Sequence, residues 1–165
     1  MSRAPRVHAV VVSYGSDPER LAQQFDRLLQ QVGAIVWVDN ASGDALRAQA
    51  SRWPAERLHP IWLDDNQGIG AAQNRGIAHA LALGATHVLL MDDDSLPAPD
   101  MVARLLAALA TRPQAAAVGA CHVDPRRQAE RTPFSVVSGG RLRWLPCADA
   151  GQVWEVDHVI ASGCL

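Results

Sequence analysis

The sequence predicts an α/β fold: a Rossmann-like, mostly parallel sheet with flanking helices, followed by a smaller irregular β portion. Three observations carry this. Short apolar runs rich in β-branched residues alternate with segments of helical period over residues 1–123. The first run, VHAVVVSY, is apolar at nearly every position, as a strand buried on both faces is. After Val123 the rhythm breaks into polar loops and short β pieces.

The elements follow in order. VHAVVVSY, Val7 to Tyr14, is the first strand. Asp17 suits the cap of the next helix and Pro18 its first position. Leu21, Phe25, Leu28, Leu29 and Val32 recur at helical spacing as its buried face, and Gly33 can close it. AIVWVDN, LHPIWLDDN and THVLLMDDD are the second, third and fourth strands. GDALRAQASRW and GAAQNRGIAHALALG are the helices between them, the latter stopped at Gly84. Pro99 opens a further helix with Met101, Val102, Leu105, Leu106 and Leu109 inward, and AAAVGACHV is a fifth strand. DPRRQAERTPF is a loop, SVVSGGRLRWL a hairpin about Gly139-Gly140, and VWEVDHVIASGCL ends in a last short strand. This divides a single domain into a ligand-binding α/β portion, 1–123, and the start of a second, β portion, 124–165.

Composition excludes several functions. Of 165 residues, 48% are hydrophobic and 19% charged, enough apolar material for one real core. A net charge of -2 with no basic stripe argues against a nucleic-acid binder. The N-terminus lacks the cleavage site and long apolar core of a signal peptide, and no apolar run is long enough to span a bilayer. Three cysteines without a CxxC pair predict neither a zinc site nor a disulfide framework, and favour a reducing cytoplasm.

The strand ends carry the chemistry. Strands two, three and four finish in Asp39-Asn40, Asp64-Asp65-Asn66 and Asp92-Asp93-Asp94. Single polar endings are ordinary turn and cap residues. Three together, in a parallel sheet, mark a ligand site beyond the carboxyl edge. Adjacent carboxylates repel, and a divalent cation relieves the repulsion; oxygen donors suit Mg²⁺ or Mn²⁺ shared with substrate phosphates. On an extended backbone Asp92 and Asp94 face one way and Asp93 the other, though a bent turn changes this. No EF-hand loop, no GxGxxG after the first strand and no Walker A sequence occurs.

VVVSYGSDPERL, VWVDNASGD, DDNQGIGAAQNRGI, LLMDDDSLPAPDMV and VDHVIASGCL, in this order and spacing, resemble the family 2 glycosyltransferases. The resemblance covers nearly the whole chain and is nearest the rhamnosyltransferase-like branch of O-antigen and surface-polysaccharide assembly. It implies a GT-A fold and a nucleotide-diphospho-sugar donor, with dTDP-rhamnose favoured. It implies that Ser13 and Tyr14 line the nucleotide pocket and that Asp39 bonds the base. Asn66, Gly68, Gly70 and Asn74 resemble the segment that folds over the nucleotide. Asp92, Asp93 and Asp94 resemble the DxD element: Asp94 is the foremost metal ligand, and Asp92 or Asp93 holds ribose or shares the metal, Mg²⁺ or Mn²⁺. Ser162 and Gly163 match an acceptor-side SG element.

The family's general base lies in an acidic motif beyond that element. The chain reaches only Leu165, and Asp149, Glu155 and Asp157 precede the element. The expectation is a donor-binding portion that binds nucleotide better than it turns over. The implied acceptor is a saccharide, polyprenyl-linked where the enzyme works at the membrane. The implied location is the cytoplasm or the inner membrane face, with Arg126, Arg127 and Arg131 as a basic loop for anionic lipid or plain solvent. Trp37, Trp62, His87 and His122 are expected to pack rather than bind. Trp144 and Trp154 are open to acceptor stacking, and Arg75 to a phosphate or to solvent. A nucleotidyltransferase is the first rival reading, but SYGSDPER lacks its phosphate loop. A non-catalytic nucleotide-sugar-binding module is the second. A glycosidase is disfavoured, because it needs two carboxylates across a cleft. The apolar ending VIASGCL is expected to leave a strand edge prone to association.

Overall fold

In the computed structural model of the protein, residues 4–124, 130–131, 134–138, 140–147 and 152–165 are described. Strand β1 (Val7–Ser13) is buried at every position, as its unbroken apolar run requires. It forms the middle of a four-stranded parallel sheet with β2 (Ala34–Asp39), β3 (Leu58–Trp62) and β4 (His87–Asp92), in the order β3-β2-β1-β4. Val10 stands opposite Val36 on one side and Leu90 on the other.

Successive residues of β1 serve opposite faces, as the two-residue period of a strand dictates. Ala9 and Val11 join Ile35, Trp37, Leu89 and Met91 in the larger core, covered by Leu21, Phe25 and Leu28 of helix α1 (Pro18–Leu28). Met101, Val102 and Leu105 of α4 (Met101–Ala110) complete it, with Leu46 of the short helix α2 (Asp44–Arg47) and Trp53. Trp37 is fully buried, with Phe25 and Trp62 edge-on at 5.3 and 4.9 Å.

The other face is thinner. Val10, Val12, Val36 and Val38 meet Ala72 and Ala80 of α3 (Ile69–Ala82). Gly76 lies between these alanines, and a Cβ there would stand 2.4 Å from a methyl of Val10. The small-residue stripe is what lets α3 lie close on the sheet.

The chain then departs from its expected course in four places. GDALRAQASRW forms only four residues of α-helix followed by a 3-10 turn, Ala48–Arg52. AAAVGACHV is not a regular strand. Val118 and Leu165 exchange both backbone bonds at 2.9 Å, and Gly163 accepts from the Ala120 amide at 2.8 Å. Cys164 bridges both Leu90 and Gly119, antiparallel to each. The apolar ending is therefore not an open edge: it extends the sheet beside β4, with Leu165 buried in the core. A run of small alanines offers little side-chain packing to hold a longer strand, so pairing is confined to these few residues.

Cys121 and Cys147 are joined in a disulfide with a Cα–Cα distance of 5.9 Å, against the expectation of three reduced thiols. Their separation of 26 residues has no local signature; the fold brings them together. The hairpin does form, as β7 (Phe134–Ser138) and β8 (Arg141–Leu145), and a two-residue pairing joins β5 (Val123–Asp124) to β6 (Glu130–Arg131). Arg126 and Arg127 of the basic loop, and Asp149, lie outside the described residues.

Candidate functional site

The strand order places β2 on one side of β1 and β4 on the other. The connections leaving β1 and β3 therefore part, and a crevice opens above the carboxyl ends. An open cavity of about 350 Å³ lies there, lined by Val12, Tyr14, Asn40, Asn66, Gly68, Ile69, Asp92 and Asp93.

Beside it, where β1 and β2 end, runs a buried polar chain. The indole Nε1–H of Trp37 donates to Ser13 Oγ at 2.7 Å, and Ser13 Oγ donates to Asp39 Oδ1 at 3.0 Å. The other Asp39 oxygen accepts from the Ser42 amide at 3.1 Å. Ala41 supplies that turn at a φ of 72°, a left-handed conformation that costs a residue with a Cβ. Ser13 and Asp39 are both fully buried and neither lines the cavity, whereas Tyr14, 62% exposed, does.

Asn40 ties the ends of β2 and β3 together. Its Nδ2 donates to Asn66 Oδ1 at 2.8 Å, and its Oδ1 accepts from the Gln67 amide at 2.9 Å. Asn66 Oδ1 also accepts from the Gly68 amide, and Gly68 turns into α3 at a φ of 80°. These bonds set the far wall. Gly70 meets nothing within 4 Å of an added Cβ, and Asn74 and Arg75 are exposed on α3 away from the lining.

The acidic run bends where β4 ends. Asp92 is the last strand residue and Asp93 and Asp94 form a turn, so strict alternation stops. Asp92 and Asp93 line the cavity, and Asp94 is exposed beside it. Burial, then the charges of Asp94 and Asp93, push the Asp92 carboxyl above its ordinary range; His122 and Ser162 act the other way. This crowding of negative charge fits a hard divalent cation. Among the described residues, no three acidic, histidine or cysteine side chains converge as a complete metal cage. Asp92 and Asp93 are the carboxylates that could share such an ion with a phosphate.

The turn is held from α1 and from Ser16 just before it. Ser16 Oγ donates to Asp93 Oδ2. Arg20 Nε donates to Asp94 O at 2.7 Å. Gln24, fully buried, donates from Nε2 to Asp92 O at 2.5 Å and Ser95 O at 2.6 Å. Its Oε1 is buried with no hydrogen-bond partner among the described residues, a burden of about 1–3 kcal/mol.

Ser162 and Gly163, expected on the acceptor side, also arrive at this turn. Ser162 Oγ accepts from the Asp92 amide at 3.2 Å, and the Gly163 amide donates to Leu90 O at 2.8 Å. Gly163 has a φ of 68°, and a Cβ there would press on Ala120 at 3.2 Å. His122 lies against this turn, its Nε2 buried. Asp157 accepts from the Val137 amide at 2.5 Å and so serves the hairpin. Trp37 is core and His87 is bonded to Thr86, whereas Trp144 and Trp154 are 64% and 40% exposed.

Reading the sequence named Asn40 only as part of a polar strand ending, and missed Ser16, Arg20 and Gln24 altogether. Gln24 did leave a signal: it is a polar residue inside the apolar face formed by Leu21, Phe25 and Leu28.

Comparisons with known proteins agree with this geometry. The dTDP-rhamnosyl transferase RfbF of Shigella flexneri is 34% identical over 89 residues, 54% of this chain and 29% of that protein. The succinoglycan biosynthesis protein ExoO of Rhizobium meliloti (strain 1021) is 31% identical over 109 residues, 64% of this chain and 30% of that protein. The chain thus spans less than a third of the length of either relative. Crystalline TarS 1-349 of S. aureus superposes with a TM-score of 0.52 at 19% identity, over 66% of this chain and 33% of that one, a likeness of fold. The fold is GT-A: a parallel sheet between helices with small antiparallel additions. The model of glycosyl transferase family 2 matches residues 9–154, nearly the whole of the sequence, and the chain belongs to that family.

Proposed function

We propose that this chain is the donor-binding portion of an inverting, metal-dependent glycosyltransferase that takes its sugar from a nucleotide-diphospho-sugar. The observation that carries this is the cavity at the carboxyl ends of the strands, lined together by Asp92, Asp93, Tyr14, Asn40 and Asn66. The base lies along the Tyr14 ring and the asparagine wall, and the diphosphate points toward the aspartates. Asp92 and Asp93 hold the metal, with Asp94 within reach of the same ion. A bound Mg²⁺ or Mn²⁺ supplies the positive charge that the departing diphosphate needs. Ser162 and Gly163 shape the acceptor side, where a saccharide hydroxyl meets the sugar.

The favoured donor is dTDP-rhamnose, supported by the likeness to a dTDP-rhamnosyl transferase. The acceptor is a growing surface polysaccharide, free or polyprenyl-linked, made at the inner membrane face. No helix among the described residues is long and apolar enough to cross a membrane.

Calorimetric titration with dTDP and UDP, with and without Mn²⁺, tests the reading. Binding that requires Mn²⁺, prefers dTDP and falls at least tenfold in Asp92→Asn is the expected result. Equal binding with and without Mn²⁺ in both proteins refutes the metal-diphosphate assignment.

A further inference from the structure

The acidic turn is not held by its own backbone. Its internal bond, from the Ser95 amide to Asp92 O, is 3.5 Å long, at the limit of a hydrogen bond. The same two residues are bridged by one side chain from another element. Gln24 Nε2 has two protons, and both are used: one on Asp92 O, the other on Ser95 O. The amide orientation is fixed, because the flipped form would set Oε1 against two carbonyl oxygens. Gln24 is fully buried, so no water competes for these bonds.

Its neighbours repeat the pattern. Ser16, Arg20 and Gln24 follow at four-residue intervals, and each bonds the 92–95 segment. Gln31, just past the helix, donates to Ala98 O at 2.9 Å and accepts from the Val102 amide at 3.1 Å. The loop from β4 to α4 is thus gripped at both ends from the α1 side.

We infer that Gln24 is a positioning residue for sugar transfer, holding the Asp92–Ser95 turn in the one bend that turns both Asp92 and Asp93 toward the cavity. This rests on the proposed donor site for its functional consequence, but the positioning itself does not. A turn freed of Gln24 relaxes toward the extended backbone, where Asp93 swings away from Asp92. Gln24 touches no ligand. Its effect appears in whatever requires the two carboxylates together, and not in what the nucleoside wall provides alone.

The test compares Gln24→Met, which keeps the length and removes the donors, with Gln24→Asn, which keeps the amide but falls a methylene short. Phe25→Leu, on the same buried face, is the control for general loosening. Two measurements are made on the full chain: amide hydrogen exchange along residues 90–102, and calorimetric affinity for dTDP with and without Mn²⁺. The expected result in both Gln24 variants is at least tenfold faster exchange at residues 93–96 with β4 and α4 little changed. Mn²⁺-dependent dTDP affinity falls about tenfold and metal-free affinity does not. Phe25→Leu lowers the melting temperature without this selectivity. Wild-type exchange at residues 93–96 in either folded Gln24 variant overturns the inference. So does a parallel loss of metal-free and metal-dependent affinity, or the same selective pattern in Phe25→Leu. If the unsubstituted chain binds no dTDP in Mn²⁺, the donor-site reading fails and the exchange data alone decide the role of Gln24.

Discussion

Ser13 shows how one hydroxyl can decide both a core and a site. It accepts from Trp37 and donates to Asp39, with all three residues fully buried. In Ser13→Ala, the indole N–H and one carboxylate oxygen each lose a partner in a place water does not reach. The cost of unmade bonds at buried groups, about 1–3 kcal/mol each, outweighs the slight gain from burying a methyl. Urea denaturation should show the variant less stable by roughly 2–4 kcal/mol. A loss under 1 kcal/mol would mean that the pair finds other partners. The residue scale is also where sequence reading fell short. Ser13 and Asp39 were legible as strand-end polar groups, but which of them face a ligand depends on the turn at Ala41. That turn folds the Ser42 amide back over the carboxylate.

At the scale of elements, helix α3 sets two preferences against each other. Alanine in place of a mid-helix glycine is worth about 1 kcal/mol in intrinsic helix preference. At Gly76 the added Cβ would meet Val10 at 2.4 Å and Val38 at 3.1 Å. Val10 lies in the central strand, with β2 and β4 bonded on either side, so it has no room to retreat. Overpacking of this kind costs typically 1–3 kcal/mol, and sterics win. Gly76→Ala should lower the melting temperature by several degrees, read by circular dichroism; a rise would show that α3 can slide outward. The parallel sheet and the α1 and α4 core faces were readable because apolar spacing is a local property. The turn at Asp93 and the row Ser16, Arg20, Gln24 were not. Their bonds run to partners at sequence distances of 68 to 77, and no local pattern announces them. The Cys121–Cys147 pairing escaped for the same reason.

The whole molecule responds to pH through two groups of opposite sign, His8 and Asp92. Burial, then the charges of His59 and Arg6, holds the His8 imidazole below its ordinary value of 6.5, against a hydrogen bond with Ala80 that favours the charged form. The unfolded chain therefore binds a proton at His8 that the folded chain refuses. Stability from this residue is complete above about pH 6.5 and declines as pH falls below it. Asp92 has the opposite sign, because its raised carboxyl takes up a proton in the folded state first. Its contribution grows as pH falls toward the unfolded value of 3.8. Thermal melts from pH 8 to 5.5 should show a falling melting temperature in the native chain and a flatter profile in His8→Gln. An unchanged slope would place the titrating group elsewhere.

The antiparallel entry of residues 163–165 between β4 and residues 118–120 has a kinetic meaning. Strands β1, β2 and β3 can assemble from units that are near neighbours in the chain, each docking on the last, whereas β4 returns to β1 with Leu90 opposite Val10. The Leu90–Cys164 contact must wait for β4 to take its place and for a second long loop to close, and loop closure of that kind slows the steps that depend on it. Ser162 meets the Asp92 amide only when this happens. The Asn40–Asn66 wall is therefore expected to form early in refolding, and the contact of Ser162 with the Asp92 amide to form last.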